Sequence, residues 1–79
     1  MITKYVLGQL PAITNVDIPP HDVLDLQIQN GVLVVWVQER RGPRHKTTFV
    51  VYLTGETPAP GRTHLKTLQD GPYVAHIYR

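Results

Sequence analysis

The chain contains no cysteine and no serine. The first absence excludes disulfides, thiolate nucleophiles and thiolate-bound zinc. The second removes every serine-based nucleophile. No apolar run approaches the roughly 20 residues that a bilayer-spanning helix needs. The first residues lack the basic, apolar and small-residue succession of a secretory leader. A cytoplasmic setting without membrane contact is therefore the expectation. Sustained helical periodicity is missing, as are internal repeats, low-complexity tracts and linkers. The 79 residues make one domain, 1–79, close to the size where a single core only just suffices.

What is present is β patterning, centred on Val23 to Gln38. An alternating run and a continuous apolar run meet at Asn30-Gly31, the dipeptide best suited to a type I′ turn. Both turn residues need positive φ, which Asn tolerates and Gly adopts freely. A two-residue turn sets the register: Gln29 faces Val32, Ile28 faces Leu33, Gln27 faces Val34, Leu26 faces Val35, Asp25 faces Trp36 and Leu24 faces Val37. Opposed residues share a face. One face then carries Leu24, Leu26, Ile28, Leu33, Val35 and Val37, and is the core face. The other sets Asp25, Gln27 and Gln29 against Trp36, Val34 and Val32. Another part of the chain, a second subunit or a bound ligand anchored by Trp36 would each account for that mixed face.

Further strands are expected around this hairpin. Ile2–Leu7 is β-branched and aromatic, and Gly8-Gln9-Leu10-Pro11 ends it. Thr14–Ile18 is short and bounded by prolines, as an edge strand is. Thr47–Leu53 is strong and is expected to pair antiparallel with Val32–Gln38. His64–Leu68 alternates weakly, and Asp70-Gly71-Pro72 turns the chain into a closing strand, Tyr73–Tyr78. The expected fold is all-β: six or seven short antiparallel strands in a small sandwich or barrel-like sheet around a central type I′ hairpin.

Chemistry is sparser. Arg40, Arg41, Arg44 and Lys46 hold half of the eight Lys and Arg residues, and arginine forks suit phosphate and carboxylate. A solvated turn is the plainer reading, and the aromatic interleaving of single-strand binders is absent around it. His21, His45, His64 and His76 have no metal-ligand spacing, so no metal and no cofactor are expected. His64 and His76 would have to converge for acid–base work. Thr54-Gly55-Glu56-Thr57 follows a strand but lacks the glycine spacing and Lys-Ser/Thr of a P-loop; the ordinary reading is a turn with Gly55 at positive φ. The six carboxylates form no glycosidase or two-metal pair. No catalytic residue emerges, and an enzyme is not expected.

Gln29-Asn30-Gly31, Trp36, Thr54-Gly55, Thr67 and His76-Ile77-Tyr78 together resemble a small family of phages, prophages and bacteria, described as a domain of unknown function. The resemblance spans nearly the whole chain and carries no activity with it. What it implies is a setting, since small phage proteins often act by stoichiometric binding, including inhibition of host defence; this is analogy. The expected function is non-enzymatic binding by a homo-oligomer that sequesters a nucleotide-type small molecule or occludes a host defence protein. The binding residues would be Arg40, Arg41, Arg44, Lys46, Trp36, Tyr52 and His76. A nucleic-acid-binding module using the basic turn, or an assembly protein without ligand, is the alternative.

Overall fold

Seven strands and no helix make up the described residues, 1–9 and 13–79, of the computed structural model. β1 (Ile2–Gln9), β4 (Val32–Glu39) and β3 (His21–Gln29) form a three-stranded antiparallel sheet in the order β1-β4-β3. β2 (Ile13–Ile18), β5 (His45–Leu53), β7 (Tyr73–Tyr78) and β6 (His64–Asp70) form a four-stranded antiparallel sheet in the order β2-β5-β7-β6. The two sheets pack face to face, and no barrel closes. β2 is an edge strand, as its flanking prolines require. The Leu10-Pro11 stop lies outside the described residues.

Asn30 (φ 52°) and Gly31 (φ 76°) make the central turn, and the pairing runs as expected from Gln29↔Val32 to Asp25↔Trp36. Beyond Asp25 the register shifts. Val23, not Leu24, lies opposite Val37, and Leu24 is 51% exposed instead of core. Leu24 is the extra residue of a β-bulge, which uniform alternation cannot anticipate. A second irregularity between Val6 and Gly8 leaves Leu7 buried in the core.

The expected pairing of Thr47–Leu53 with Val32–Gln38 is also corrected. β5 pairs with β2 and β7, in the opposite sheet. The charged segment after β4 crosses between sheets instead of folding back, and it is bolted to the other crossover, Pro19-Pro20. The Arg40 amide donates to the Pro20 carbonyl at 2.7 Å, and the Arg40 guanidinium pairs with Asp22 at 2.5 Å. Arg44 donates to the Asp17 carbonyl at 2.9 Å. Gly42 lies so close to Pro20 that a Cβ would come within 2.6 Å of its ring, so only glycine fits.

The core lies between the sheets. Leu7, Leu26, Leu33, Val35 and Val37 come from the three-stranded sheet, and Ile18, Phe49, Val51, Ala75 and Ile77 from the other. The near-continuous apolar runs of the sequence occupy the inner strands β4 and β5. Phe49 is the largest fully buried side chain. At one sandwich edge Lys66 of β6 forms an ion pair with Asp25 of β3, while the Leu26 amide donates to the same carboxylate at 2.8 Å. Lys66 first, and then that amide, hold the Asp25 carboxyl below its ordinary pKa.

Phe49→Ala should cost roughly 3–5 kcal/mol in urea unfolding, because the cavity lies between two sheets that cannot both collapse onto it. A carboxylate whose pKa is depressed by folding contributes stability above its unfolded value, near pH 4. That contribution disappears as pH falls through the lower, folded value. Asp25→Asn should therefore be less stable than the parent at neutral pH, and the two should converge in acid, as measured by thermal melts from pH 7 to 2.

Candidate anion-binding cleft

His21 follows Pro19-Pro20 and opens β3. Its parity with Val23 points it inward, opposite Glu39, where it is the buried polar residue of the described core, 7% exposed. Its Nδ1 lies 2.9 Å from the Pro19 carbonyl oxygen. A carbonyl only accepts, so Nδ1 carries the proton and Nε2 keeps a lone pair. That lone pair accepts from Arg79 Nη2 at 3.0 Å. The Arg79 backbone is held by reciprocal bonds with Thr63, 2.9 and 2.8 Å long. A buried imidazole and a backbone clamp thus fix one guanidinium at the end of the sandwich.

That guanidinium lines a cleft of about 200 Å³ together with Ile18, Pro19, Pro20, His21, Arg40, His45 and Thr47. Apolar and proline surface lines it together with three groups able to bear positive charge, Arg40, His45 and Arg79. No side-chain carboxylate is among the described lining residues. Asp22 stands just outside it, held below its ordinary pKa by the Arg40 hydrogen bond and charge, with His21 and Arg79 adding to the effect. Arg40 is thus partly neutralised, while Arg79 and His45 are not ion-paired. The volume is about that of seven liquid water molecules, enough for one phosphate or carboxylate group but less than a drug-sized ligand needs.

The expected binding residues fall in three places. Arg40 lines this cleft, and Arg44 braces its rim through Asp17. Arg41 and Lys46 are exposed, and Lys46 lies opposite Asp17 on β5. Tyr52 and His76 face each other across β5 and β7, six residues and roughly 20 Å along β5 from the basic turn. Trp36 is half-buried in the other sheet, on the face turned away from the core, with the Lys4 ammonium 5.6 Å from its ring centroid. Among the described residues, the cleft that Arg40 lines includes neither Trp36 nor Tyr52.

Tyr52 and His76 are engaged in a different task. His76 Nε2 meets Thr54 Oγ1 at 2.9 Å, and its Nδ1 meets Thr67 Oγ1 at 3.0 Å. His64 Nε2 meets the same Thr67 hydroxyl at 2.8 Å, so the two histidines do converge, through one hydroxyl that can both give and accept. The Tyr52 hydroxyl accepts from the Ala59 amide at 3.1 Å, and its ring meets Tyr78 edge-on at 5.3 Å. Gly55, with φ at 99° as expected, turns the chain here. Glu56 closes the turn by accepting from the Leu53 amide at 2.7 Å. These bonds hold the 54–59 loop against the sheet and leave a second cleft of about 210 Å³ beneath it.

Arg79 is a cleft residue that sequence reasoning missed. Nothing in the sequence links it to His21, which stands 58 positions away. Uniform alternation with Leu24 and Leu26 would turn His21 outward, and only the bulge at Leu24 brings it inward beside Val23. His76→Ala should speed amide hydrogen exchange at Glu56 and Ala59 by at least about tenfold, while the Val35 and Phe49 amides keep their protection, as local opening requires.

No curated protein matches this chain, and neither does any solved structure. One family model does match, over residues 1–79. The chain belongs to the family described as a domain of unknown function, DUF7352.

Proposed function

We propose that this protein is a small, non-enzymatic binding module that captures the phosphate group of a nucleotide-type ligand in the cleft between its sheets. The observation that carries this reading is the Arg79 guanidinium, oriented by buried His21 and set beside Arg40 and His45. Guanidinium donors held in place before binding lose less entropy when a phosphate arrives, and their charge-assisted bonds are the stronger kind. The cleft presents donors and positive charge, and Thr47, the hydroxyl in its lining, donates to the His45 backbone carbonyl and not to a side-chain base, which suits capture better than turnover. Its size fits the phosphate alone, so the nucleoside would project outward across the exposed basic turn at Arg41.

The biological setting is part of the same proposal. A phage-type protein of this kind would counter a host defence by holding a nucleotide signal away from its receptor. The resemblance to small phage and prophage proteins supports that setting, and the modest positive charge of +2 favours anionic ligands in general.

Isothermal titration with inorganic phosphate and with mono- and dinucleotides tests the reading. Arg79→Ala should weaken binding about 10- to 100-fold, the worth of one charged hydrogen-bonding group, whereas Arg41→Ala should change it less than about threefold. Equal affinity in the Arg79→Ala variant and the parent would sink the proposal. Binding of single-stranded DNA or RNA that Arg79→Ala leaves intact, with a steep salt dependence, would favour nucleic-acid contact through the basic turn instead.

A further inference from the structure

The outer face of the β1-β4-β3 sheet is uncovered by any described strand. Its β1 column carries Ile2, 64% exposed, and Val6, 67% exposed. Its β4 column carries half-buried Val32 and Trp36 and buried Val34, and its β3 column carries Asp25, Gln27 and Gln29. Exposed Ile2 and Val6, on either side of Lys4 along β1, mark the β1 edge of this face as an interaction surface. Across the sheet the columns grade from apolar and basic, through apolar, to polar and acidic. One row shows the gradient directly: Lys4 lies opposite Trp36, which in turn lies opposite Asp25.

We propose that a second copy of this chain covers this face, forming a two-fold dimer whose axis runs nearly along β4. Such an axis lies in the interface and exchanges β1 with β3 while keeping each row in place. Lys4, whose ammonium lies over Trp36 and donates to Gln29 in its own chain, then comes opposite Asp25 of the second copy, twice over. It stands there as a second cation beside Lys66, and the two Trp36 side chains lie near the axis. Self-complementarity of this type is what an isologous interface demands. The strands of the two sheets would run within about 30° of each other, as aligned sheets do.

The area suits a weak, concentration-dependent dimer. Three strands about 4.8 Å apart and about eight residues long make a face of about 14 by 26 Å. Two such faces project to about 730 Å², and pleat and side-chain relief raise this toward the small, transient end of specific interfaces, below about 1,200 Å². A partner of different sequence would have no reason to mirror the row from Lys4 to Asp25, whereas a second copy does so by symmetry. The phosphate cleft lies at the end of the sandwich and plays no part in this argument.

Sedimentation velocity across a concentration series tests the dimer. The 79-residue chain should reach twice its 8.9 kDa mass, and Val6→Glu should return it to a single-chain mass with an unchanged far-UV spectrum. Lys4→Glu should weaken association roughly 2- to 30-fold, the range for the two solvent-accessible ion pairs it removes. Ile2→Lys, on the same face, should also release the monomer and replaces Val6→Glu if that variant unfolds. A single-chain mass up to near-millimolar concentration would overturn the proposal and leave the face to a different protein or a membrane. A dimer as tight in the Val6→Glu and Ile2→Lys variants as in the parent would overturn it equally, by placing the contact elsewhere.

Discussion

Burial of Phe49 and its neighbours between two sheets is the constraint on which the rest of this structure depends. Neither sheet can hide its apolar face alone: three strands present Leu26, Leu33, Val35 and Val37, and four present Ile18, Phe49, Val51 and Ala75. Packing the two together satisfies both and forces the chain to change sheets several times. Each change demands a break in the hydrogen-bond ladder. Pro19-Pro20 supplies one break because proline cannot donate to a ladder, and the charged segment from Arg40 to Arg44 supplies another. Gly42 on Pro20 and the Arg40–Asp22 pair then lock the two crossovers to each other.

The candidate site is a consequence of that architecture. Along β3, β4 and β5 the inward positions are apolar in the middle of the sandwich and turn polar at one end. There His21, Glu39 and Thr47 take the positions that Val23, Val37 and Phe49 take further in. Polar groups set between sheets must find partners or lose stability. His21 finds Pro19 and Arg79, and Glu39 finds the Tyr5 hydroxyl at 2.9 Å. The result is a charged cleft whose members are already fixed by their structural bonds. Fixed donors favour anion capture for the same reason that they hold the sandwich end together.

The basic turn illustrates how structural and binding roles divide a motif that looks uniform. Arg40 and Arg44 are spent largely on Asp22 and the Asp17 carbonyl, while Arg41 and Lys46 face solvent. The aromatic residues divide in the same way. Tyr52 belongs to the loop clamp built on His76, and Trp36 belongs to the outer sheet face. These groups lie on separate surfaces, so a ligand that uses the arginines meets neither aromatic within one chain.

Much of the fold was legible in the residues. Asn30-Gly31 has the backbone freedom of a type I′ turn, alternation names the inner face, and proline marks the edge strand. All three are local, because they depend on neighbours one or two positions away. The sequence by itself thus determined an all-β chain of short antiparallel strands, a hairpin register near its turn and most of that hairpin's core face. Three things were decided only in the tertiary structure: the bulge that expels Leu24, the assignment of β5 to the second sheet, and the meeting of Arg79 with His21. A bulge and a crossover are set by how one sheet twists over another, and the Arg79–His21 contact exists only once the sheets are packed. Energies that arise from contacts between distant segments leave no periodic trace in the chain, which is why most of the hairpin's core face could be read in advance and the cleft could not.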